Sequence, residues 1–95
     1  MVNIQKTTAT TGSIVAIDTQ QDLVMIHDAG VTLTLSVAFP STPVNGQLFN
    51  LCSAGGITAL TLTTEIGTIS NIITTMSAGG SANWRFYDNK WYKIS

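Results

Sequence analysis

His27 and Asp28 are the first residues to consider for chemistry, because His27 is the single histidine and a carboxylate follows it directly. Hydrolytic catalysis by such a pair needs a nucleophile within reach and a third group that orients the imidazole. Neighbouring residues on a strand point to opposite faces, so these two side chains would not pair in an extended segment. We therefore expect a structural role for His27, no catalytic residues, and a chain that is not an enzyme.

The sequence also contains few residues that could bind a metal ion or activate a thiol. One histidine and one cysteine, Cys52, cannot complete a zinc site from a single chain. The acidic residues lack the spacing of a calcium-binding loop. A metal ion on a threefold axis, with His27 from each subunit, is an alternative that the sequence leaves open. No basic residue lies near Cys52 in the sequence, which is typical of an inert buried thiol. We expect neither a metal nor a cofactor.

The aromatic residues near the end of the sequence are the most distinctive candidates for binding a ligand. A two-residue turn at Asp88-Asn89 would place the preceding and following segments in one hairpin, with Tyr87 opposite Lys90 and Arg85 opposite Tyr92. Trp84, Phe86 and Trp91 would then share one face, and Arg85 could stack on a tyrosine ring of the other face. Aromatic residues in a small β-domain more often pack in the core or between subunits. Exposed aromatic rings would instead form a platform for sugar rings. The candidate contacts for a glycan or another receptor are Arg85, Tyr87, Lys90, Trp91 and Tyr92.

These candidate residues must be positioned by strands. Val31 to Phe39 reads Val-Thr-Leu-Thr-Leu-Ser-Val-Ala-Phe, a strict period-2 alternation that predicts a half-buried strand with its odd-numbered residues inward. Pro40 ends that strand because it has no N–H to donate. Turn signals recur every ~8–12 residues, a spacing typical of a sandwich or barrel.

The sequence predicts an all-β fold, a small antiparallel β-sandwich or jelly-roll-like domain of about eight short strands. The predicted domain covers residues 13–95, and residues 1–12 are expected to be a flexible or linking leader. The predicted strands lie at residues 13–17, 23–27, 31–39, 47–52, 57–64, 68–76, 82–87 and 90–94.

Composition limits the partners of the domain. Charged residues make up 9% of the 95 residues, against a usual share of roughly 25%. The few basic residues are scattered, which argues against a nucleic-acid interface. No segment has the length of apolar sequence that would span a bilayer, and the N-terminus lacks the apolar region of a signal peptide. A surface with so little charge resists self-association poorly, so we expect copies of the chain to cover much of it.

The second half of the chain contains four segments that together form a distinctive pattern: Thr42–Phe49, Gly56–Leu62, Ala78–Asp88 and Asn89–Ser95. On these segments the chain resembles the C-terminal modules of bacteriophage tail fibres and tailspikes. In that family a turn of the type Pro-x-(Asn/Asp)-Gly-Gln precedes a strand, and a Trp-x-Phe/Tyr-Tyr strand leads to a terminal Trp-Tyr-x-Ile strand. The long N-terminal shaft of a fibre has no counterpart in this sequence, so the chain is either a separately encoded subunit or a fragment.

The resemblance implies a non-enzymatic viral structural protein, a homotrimer that takes part in host attachment. Its expected partners are its own copies, other virion proteins and a host cell-surface polysaccharide, and its expected location is the virion, after synthesis in the host cytoplasm. Two alternatives remain at this point: a capsid decoration or assembly protein, and a free carbohydrate-binding module.

Overall fold

The computed structural model describes residues 2–8 and 11–95, with only the backbone at residue 2, and within these ranges the chain forms strands and no helix. The all-β class predicted from the alternating pattern is therefore confirmed. In chain order the strands are β1 (Val2–Thr7), β2 (Ser13–Val15), β3 (Asp22–His27), β4 (Thr32–Ala38), β5 (Leu48–Ser53), β6 (Ile57–Thr63), β7 (Thr68–Ile69), β8 (Ser81–Tyr87) and β9 (Lys90–Lys93).

The strands form two sheets that the chain visits alternately. Sheet A has the order β1-β3-β5-β8-β9-β7, and sheet B has the order β2-β4-β6. The first six strands pair in parallel within their sheets. Each circuit of the chain thus adds one strand to sheet A and one to sheet B, which is the winding of a β-solenoid of three turns.

This architecture corrects the expected antiparallel sandwich or jelly roll. Antiparallel pairing in the named strands is confined to β5 with β8 and β8 with β9. Alternation along one strand shows which face is buried, but it does not show which strand lies beside it or in which direction. The loops that contain Asn45-Gly46 and Gly55-Gly56 lead the chain around the solenoid from one sheet to the other.

The turns of the solenoid differ in length. Val2 lies beside Asp22 in sheet A, whereas Leu23 lies beside Phe49, so successive turns take 20 and 26 residues. This variation explains why the sequence shows no repeat of fixed period.

Residues 2–7 were expected to belong to a leader, but they form β1 and pair along their whole length with β3. Met1, Ala9 and Thr10, which also fall in the expected leader, lie outside the described residues. The side chain of Gln5 joins the two sheets, because its amide donates to the carbonyl of Val15 and accepts from the N–H of Ile17, both at 2.9 Å. Polar residues can therefore line this turn of the solenoid because they bond to backbone groups across it.

Of the segment predicted at 68–76, only Thr68–Ile69 is a strand, although Met76 bridges to Ile57.

The odd-numbered residues of β4 do not all face inward, as the alternation in its sequence predicts. Leu35, Val37 and Phe39 are buried as expected, but Val31 and Leu33 are 70% and 65% exposed, and Thr32 is buried. Leu33 and Thr34 both face outward, and the stacked strand β6 repeats this pattern. The two strands therefore bend at the same level of the solenoid, and this bend reverses the inward face of β4.

The core lies between the sheets and is organised around four fully buried aromatic side chains. The ring of Phe39, from sheet B, lies 4.6 Å from Phe49, 5.1 Å from Trp84 and 5.3 Å from Trp91, measured between centroids. The tilted and edge-on orientations are those that aromatic pairs prefer. Phe39 thus fastens the three-stranded sheet to the strands of the terminal hairpin.

Gly55 is where two turns of the solenoid approach most closely. A Cβ at this residue would lie 2.4 Å from the carbonyl oxygen of Ala29 and 2.4 Å from the backbone of Gly30, whereas a Cβ at Gly30 would meet open space. We expect Gly55→Ala to lower the free energy of unfolding by about 1–3 kcal/mol, because the added methyl forces two backbones apart. Gly30→Ala, the control, should change it by no more than about 0.5 kcal/mol. Urea denaturation of both variants measures the difference, and equal effects would contradict this packing.

Candidate binding face of the terminal hairpin

The predicted register of the terminal hairpin is confirmed residue by residue. Tyr87 pairs with Lys90, Phe86 with Trp91, Arg85 with Tyr92 and Trp84 with Lys93. Asp88 and Asn89 have φ values of 50° and 65°, which is the geometry of a type I′ turn and suits these two residue types.

This register brings four of the five predicted contact residues together. Arg85, Tyr87, Lys90 and Tyr92 lie on the outer surface of β8 and β9, and we call them the hairpin face. Tyr87 is 62% exposed and Tyr92 is 44% exposed. The fifth predicted residue, Trp91, is fully buried beside Phe86 in the core. Trp91 is therefore a core residue in this chain, and its side chain does not join the others.

The two cations of the hairpin face are held differently. The Lys90 ammonium lies 5.3 Å from the centroid of the Tyr92 ring, within the range of a cation–π contact. The predicted register would allow Arg85 to stack on a tyrosine, and in the structure its Nη1 donates to the carbonyl of Gly46 at 2.7 Å. Arg85 thus ties the hairpin to the preceding loop, and Lys90 provides the cation that rests on a ring.

The loop before β5 supports the hairpin from one side. The side-chain oxygen of Asn45 accepts from the N–H of Asp88 at 3.0 Å, and the N–H of Gly46 donates to the carbonyl of Phe86 at 2.6 Å. The sequence does not relate Asn45 to the hairpin, because their proximity depends on pairing between distant segments. These contacts fix the position of the turn that carries Tyr87.

The chemical groups on the hairpin face are those of a contact surface for a polar ligand. Two tyrosine rings and two cations can stack on and hydrogen-bond to a flat polar ligand. The hairpin face contains no serine, cysteine or histidine that could act as a nucleophile with a base.

His27 and Asp28 point to opposite sides, as their positions on a strand predict. The His27 ring is fully buried, and its nitrogens lie 3.0 Å from the hydroxyl of Thr7 and 2.7 Å from that of Thr32. Burial lowers the pKa of His27, and the neighbouring carboxylate of Asp28 opposes this effect. Asp28 itself is exposed and lies 3.2 Å from the ammonium of Lys6. His27 therefore links strands β1, β3 and β4.

The remaining candidates are weaker as sites. Cys52 is a free, half-buried cysteine whose Sγ lies 2.8 Å from the side-chain oxygen of Asn50. Among the described residues, no three His, Cys, Asp or Glu side chains are grouped closely enough to hold a metal ion. A shallow open groove is lined by Asn71, Ile72, Ile73, Lys93, Ile94 and Ser95.

Comparisons with known proteins give no relative: no family model, no curated protein and no solved structure matches this chain. Over residues 2–8 and 11–95, no helix is long and apolar enough to cross a membrane.

Proposed function

We propose that this chain is a non-enzymatic structural module of a virion, similar to the tip of a tail fibre or tailspike, and that it binds a polysaccharide on the host surface. The proposal places the module on the virion as a homotrimer. Its support is the resemblance of Thr42–Phe49 and Ala78–Ser95 to such modules, together with the low content of charge.

The observation that carries the binding part of the proposal is the hairpin face. Tyr87 and Tyr92 expose their rings on a strand pair whose opposite face is anchored by Trp84, Phe86 and Trp91. Rings presented by a rigid hairpin lose little conformational entropy when a ligand stacks on them. Sugars carry apolar C–H faces and hydroxyl groups, so tyrosine rings beside Lys90 match both parts of a sugar ring.

The two alternative functions predict different assemblies and ligands. A capsid decoration protein would label capsids in electron micrographs and bind no glycan. A free carbohydrate-binding module would bind a glycan as a monomer. The exposed hairpin face supports attachment or a free module over decoration, because capsid decoration requires no exposed ring platform.

Replacement of the exposed rings tests this proposal. We expect Tyr87→Ala and Tyr92→Ala each to weaken binding to the strongest ligand on a bacterial glycan array by roughly tenfold or more, as loss of a central aromatic contact does. Because both side chains are exposed, circular dichroism and thermal unfolding should remain close to those of the parent protein. Titration of the selected glycan by calorimetry measures the affinity.

Val15→Ala is the matched control, because Val15 is 68% exposed on β2 of the other sheet. It should leave glycan affinity unchanged. Failure of every glycan to bind, or equal affinity of the parent protein and both tyrosine variants, would overturn the attachment role.

A further inference from the structure

The basic residues are few, but they are not evenly distributed over the molecule. Three of the four, Arg85, Lys90 and Lys93, lie on β8 and β9, and the turn between these strands holds one carboxylate, that of Asp88. The rest of the sequence holds four carboxylates and one basic residue, Lys6. A chain with a formal net charge of −1 therefore has a locally positive surface at its terminal hairpin.

The three cations of the hairpin are not neutralised by the described carboxylates. Within residues 2–8 and 11–95 the one ion pair joins Lys6 to Asp28, near the opposite edge of sheet A. In the same ranges Arg85 uses one of its five N–H donors, on a backbone carbonyl. The Lys90 ammonium rests over a tyrosine ring, which leaves its donors available. These donors can form charge-assisted hydrogen bonds to an anionic ligand.

The hairpin face continues into the shallow groove that Lys93 and Ile94 line. Pairing with β8 persists past the end of β9, because the N–H of Ile94 donates to the carbonyl of Asn83 at 2.9 Å. Ile94 therefore follows Tyr92 on the outer side of the sheet, and it is exposed. The groove has a volume of about 540 Å³, within the range of sites for small ligands. A sugar chain that stacks on Tyr92 can thus extend over Ile94 and meet Lys93.

We propose that the polysaccharide bound by the hairpin face is acidic, and that Lys93 in the groove contacts it together with Arg85 and Lys90. The inference rests on the proposed function, in which this face binds a polysaccharide. It adds the chemical class of the ligand and a second region of contact. The anion is the carboxylate of a uronic acid or a phosphate ester, because both accept charge-assisted hydrogen bonds from these side chains.

The spacing of the cations fits an extended chain that carries several acidic groups. Lys90 and Lys93 are three residues apart on β9, about 10 Å along the strand. Arg85 lies diagonally across the strand pair from Lys90, about 7–8 Å away. A neutral polysaccharide would leave all three cations without an anionic partner. A nucleic acid is charged at every nucleotide and is usually held by a larger basic surface.

The carboxylates nearest the face lie at the end of the hairpin that carries the turn. Asp88 belongs to the turn, and Glu65 belongs to the loop that approaches the turn most closely where Gly67 meets the backbone of Asn89. Positive charge therefore increases from the turn toward Lys93. An acidic chain should be held most strongly beside the groove and weakly at the turn.

A bacterial glycan array that contains neutral, uronic-acid and phosphate-bearing polysaccharides tests the class of the ligand. We expect the strongest ligand to be acidic, and its class identifies the anion. In calorimetric titrations with that glycan, the affinity should fall by about fivefold or more when NaCl rises from about 50 to about 500 mM, because salt screens exposed charges. A neutral glycan as the strongest ligand, or an affinity that does not depend on salt, would overturn the inference.

Single charge substitutions test the residues. Lys90→Gln and Lys93→Gln should each weaken binding of the strongest acidic glycan by about three- to tenfold. Lys6→Gln removes the same charge near the opposite edge of sheet A and should leave the affinity unchanged. Asp88→Asn removes a repelling carboxylate, keeps a residue that suits the turn, and should strengthen binding about two- to threefold. These side chains lie outside the core, so thermal unfolding of each variant should match that of the parent.

Equal affinities of the parent, Lys90→Gln and Lys93→Gln would overturn the inference. A single-stranded DNA oligonucleotide that binds as tightly as the strongest glycan would also overturn it, because the cations would then attract any polyanion. Tyr87→Ala separates these results from a failure of the proposed function. A neutral strongest ligand whose affinity falls in Tyr87→Ala overturns the ligand class alone, whereas failure of every glycan to bind overturns both the inference and the attachment role.

Discussion

Trp91→Ala is expected to remove about 3–5 kcal/mol from the free energy of unfolding, as other truncations of large buried aromatic side chains do. Trp91 is fully buried, with Phe39 at 5.3 Å and Phe86 at 5.2 Å. A domain of this size is stable by only ~5–15 kcal/mol in total. Urea denaturation followed by circular dichroism should therefore show a large fall in the midpoint, or a chain already unfolded in buffer.

Tyr92→Ala is the control for this experiment, because Tyr92 is the next residue on β9 and faces outward. Its cost should stay below about 1 kcal/mol, the usual range for an exposed side chain. Trp91→Phe gives a milder test of the core position. In the part of the chain that the structure describes, the indole N–H of Trp91 has no hydrogen-bond partner. Phenylalanine loses volume but no hydrogen bond, so Trp91→Phe should remain folded and be more stable than Trp91→Ala. Equal stabilities of Trp91→Ala and Tyr92→Ala would contradict the burial of Trp91.

The hairpin was the part of the fold that the sequence could predict in detail. A two-residue turn at Asp88-Asn89 allows one register, and that register determines every cross-strand pair from Tyr87 to Lys93. The same register also showed that Trp91 lies on the face of Trp84 and Phe86. Its inclusion among the contact residues was therefore inconsistent with the predicted pairing, and the structure supports the pairing.

The topology could not be predicted in the same way. Alternation identifies strands, but paired residues lie 20 positions apart between β1 and β3 and 26 positions apart between β3 and β5, with turns of unequal length. Asn3, Gln5 and Thr7 gave β1 no apolar alternation that would identify it as a strand. Their side chains face the interior, where Asn3 bonds to Thr19 and Gln5 to the backbone of β2. A sequence pattern based on hydrophobicity misses a strand whose inner face is polar.

The bend in β4 shows a further limit. Val31 and Leu33 fit an inward face by type, yet the buried residue between them is Thr32. The hydroxyl of Thr32, at the start of β4, lies within hydrogen-bond distance of the ring of His27, at the end of β3. This polar contact takes the place of apolar packing at the start of β4. The reversal depends on a polar contact between two residues five positions apart, across the corner between β3 and β4, and a hydrophobicity pattern does not reveal such a contact.

The hydrogen bonds of His27 favour one tautomer of its neutral ring. With the hydroxyl of Thr32 donating to the carbonyl of Gly30 at 3.3 Å, the Thr32 oxygen is left to accept from an Nε2–H of His27. The Nδ1 atom then accepts from the hydroxyl of Thr7. A protonated ring would have two N–H donors, and the Thr7 hydroxyl would have to turn away. Desolvation of a charged ring adds to this cost, and the lowered pKa of His27 follows mainly from that burial.

The protein is therefore expected to lose stability as the pH falls below the ordinary histidine pKa of 6.5. Above that pH the ring is neutral in both the folded and the unfolded chain. Below it the unfolded chain binds a proton that the folded chain binds less well, so the free energy of unfolding falls by up to about 1.4 kcal/mol per pH unit. Asp28, paired with Lys6, is the charged group nearest in sequence, and its attraction for a protonated ring reduces the effect without reversing it.

Urea denaturation of the parent protein and of His27→Gln, at pH values from 7 down to 5, measures this loss. Glutamine keeps a donor and an acceptor but does not titrate, so its profile should be flatter than that of the parent. The two proteins share every other ionisable group, so the difference between the two profiles isolates His27. Profiles of the same slope would show that His27 accepts its proton in the folded chain as readily as in the unfolded one, and its buried bonds to Thr7 and Thr32 would then not resist protonation.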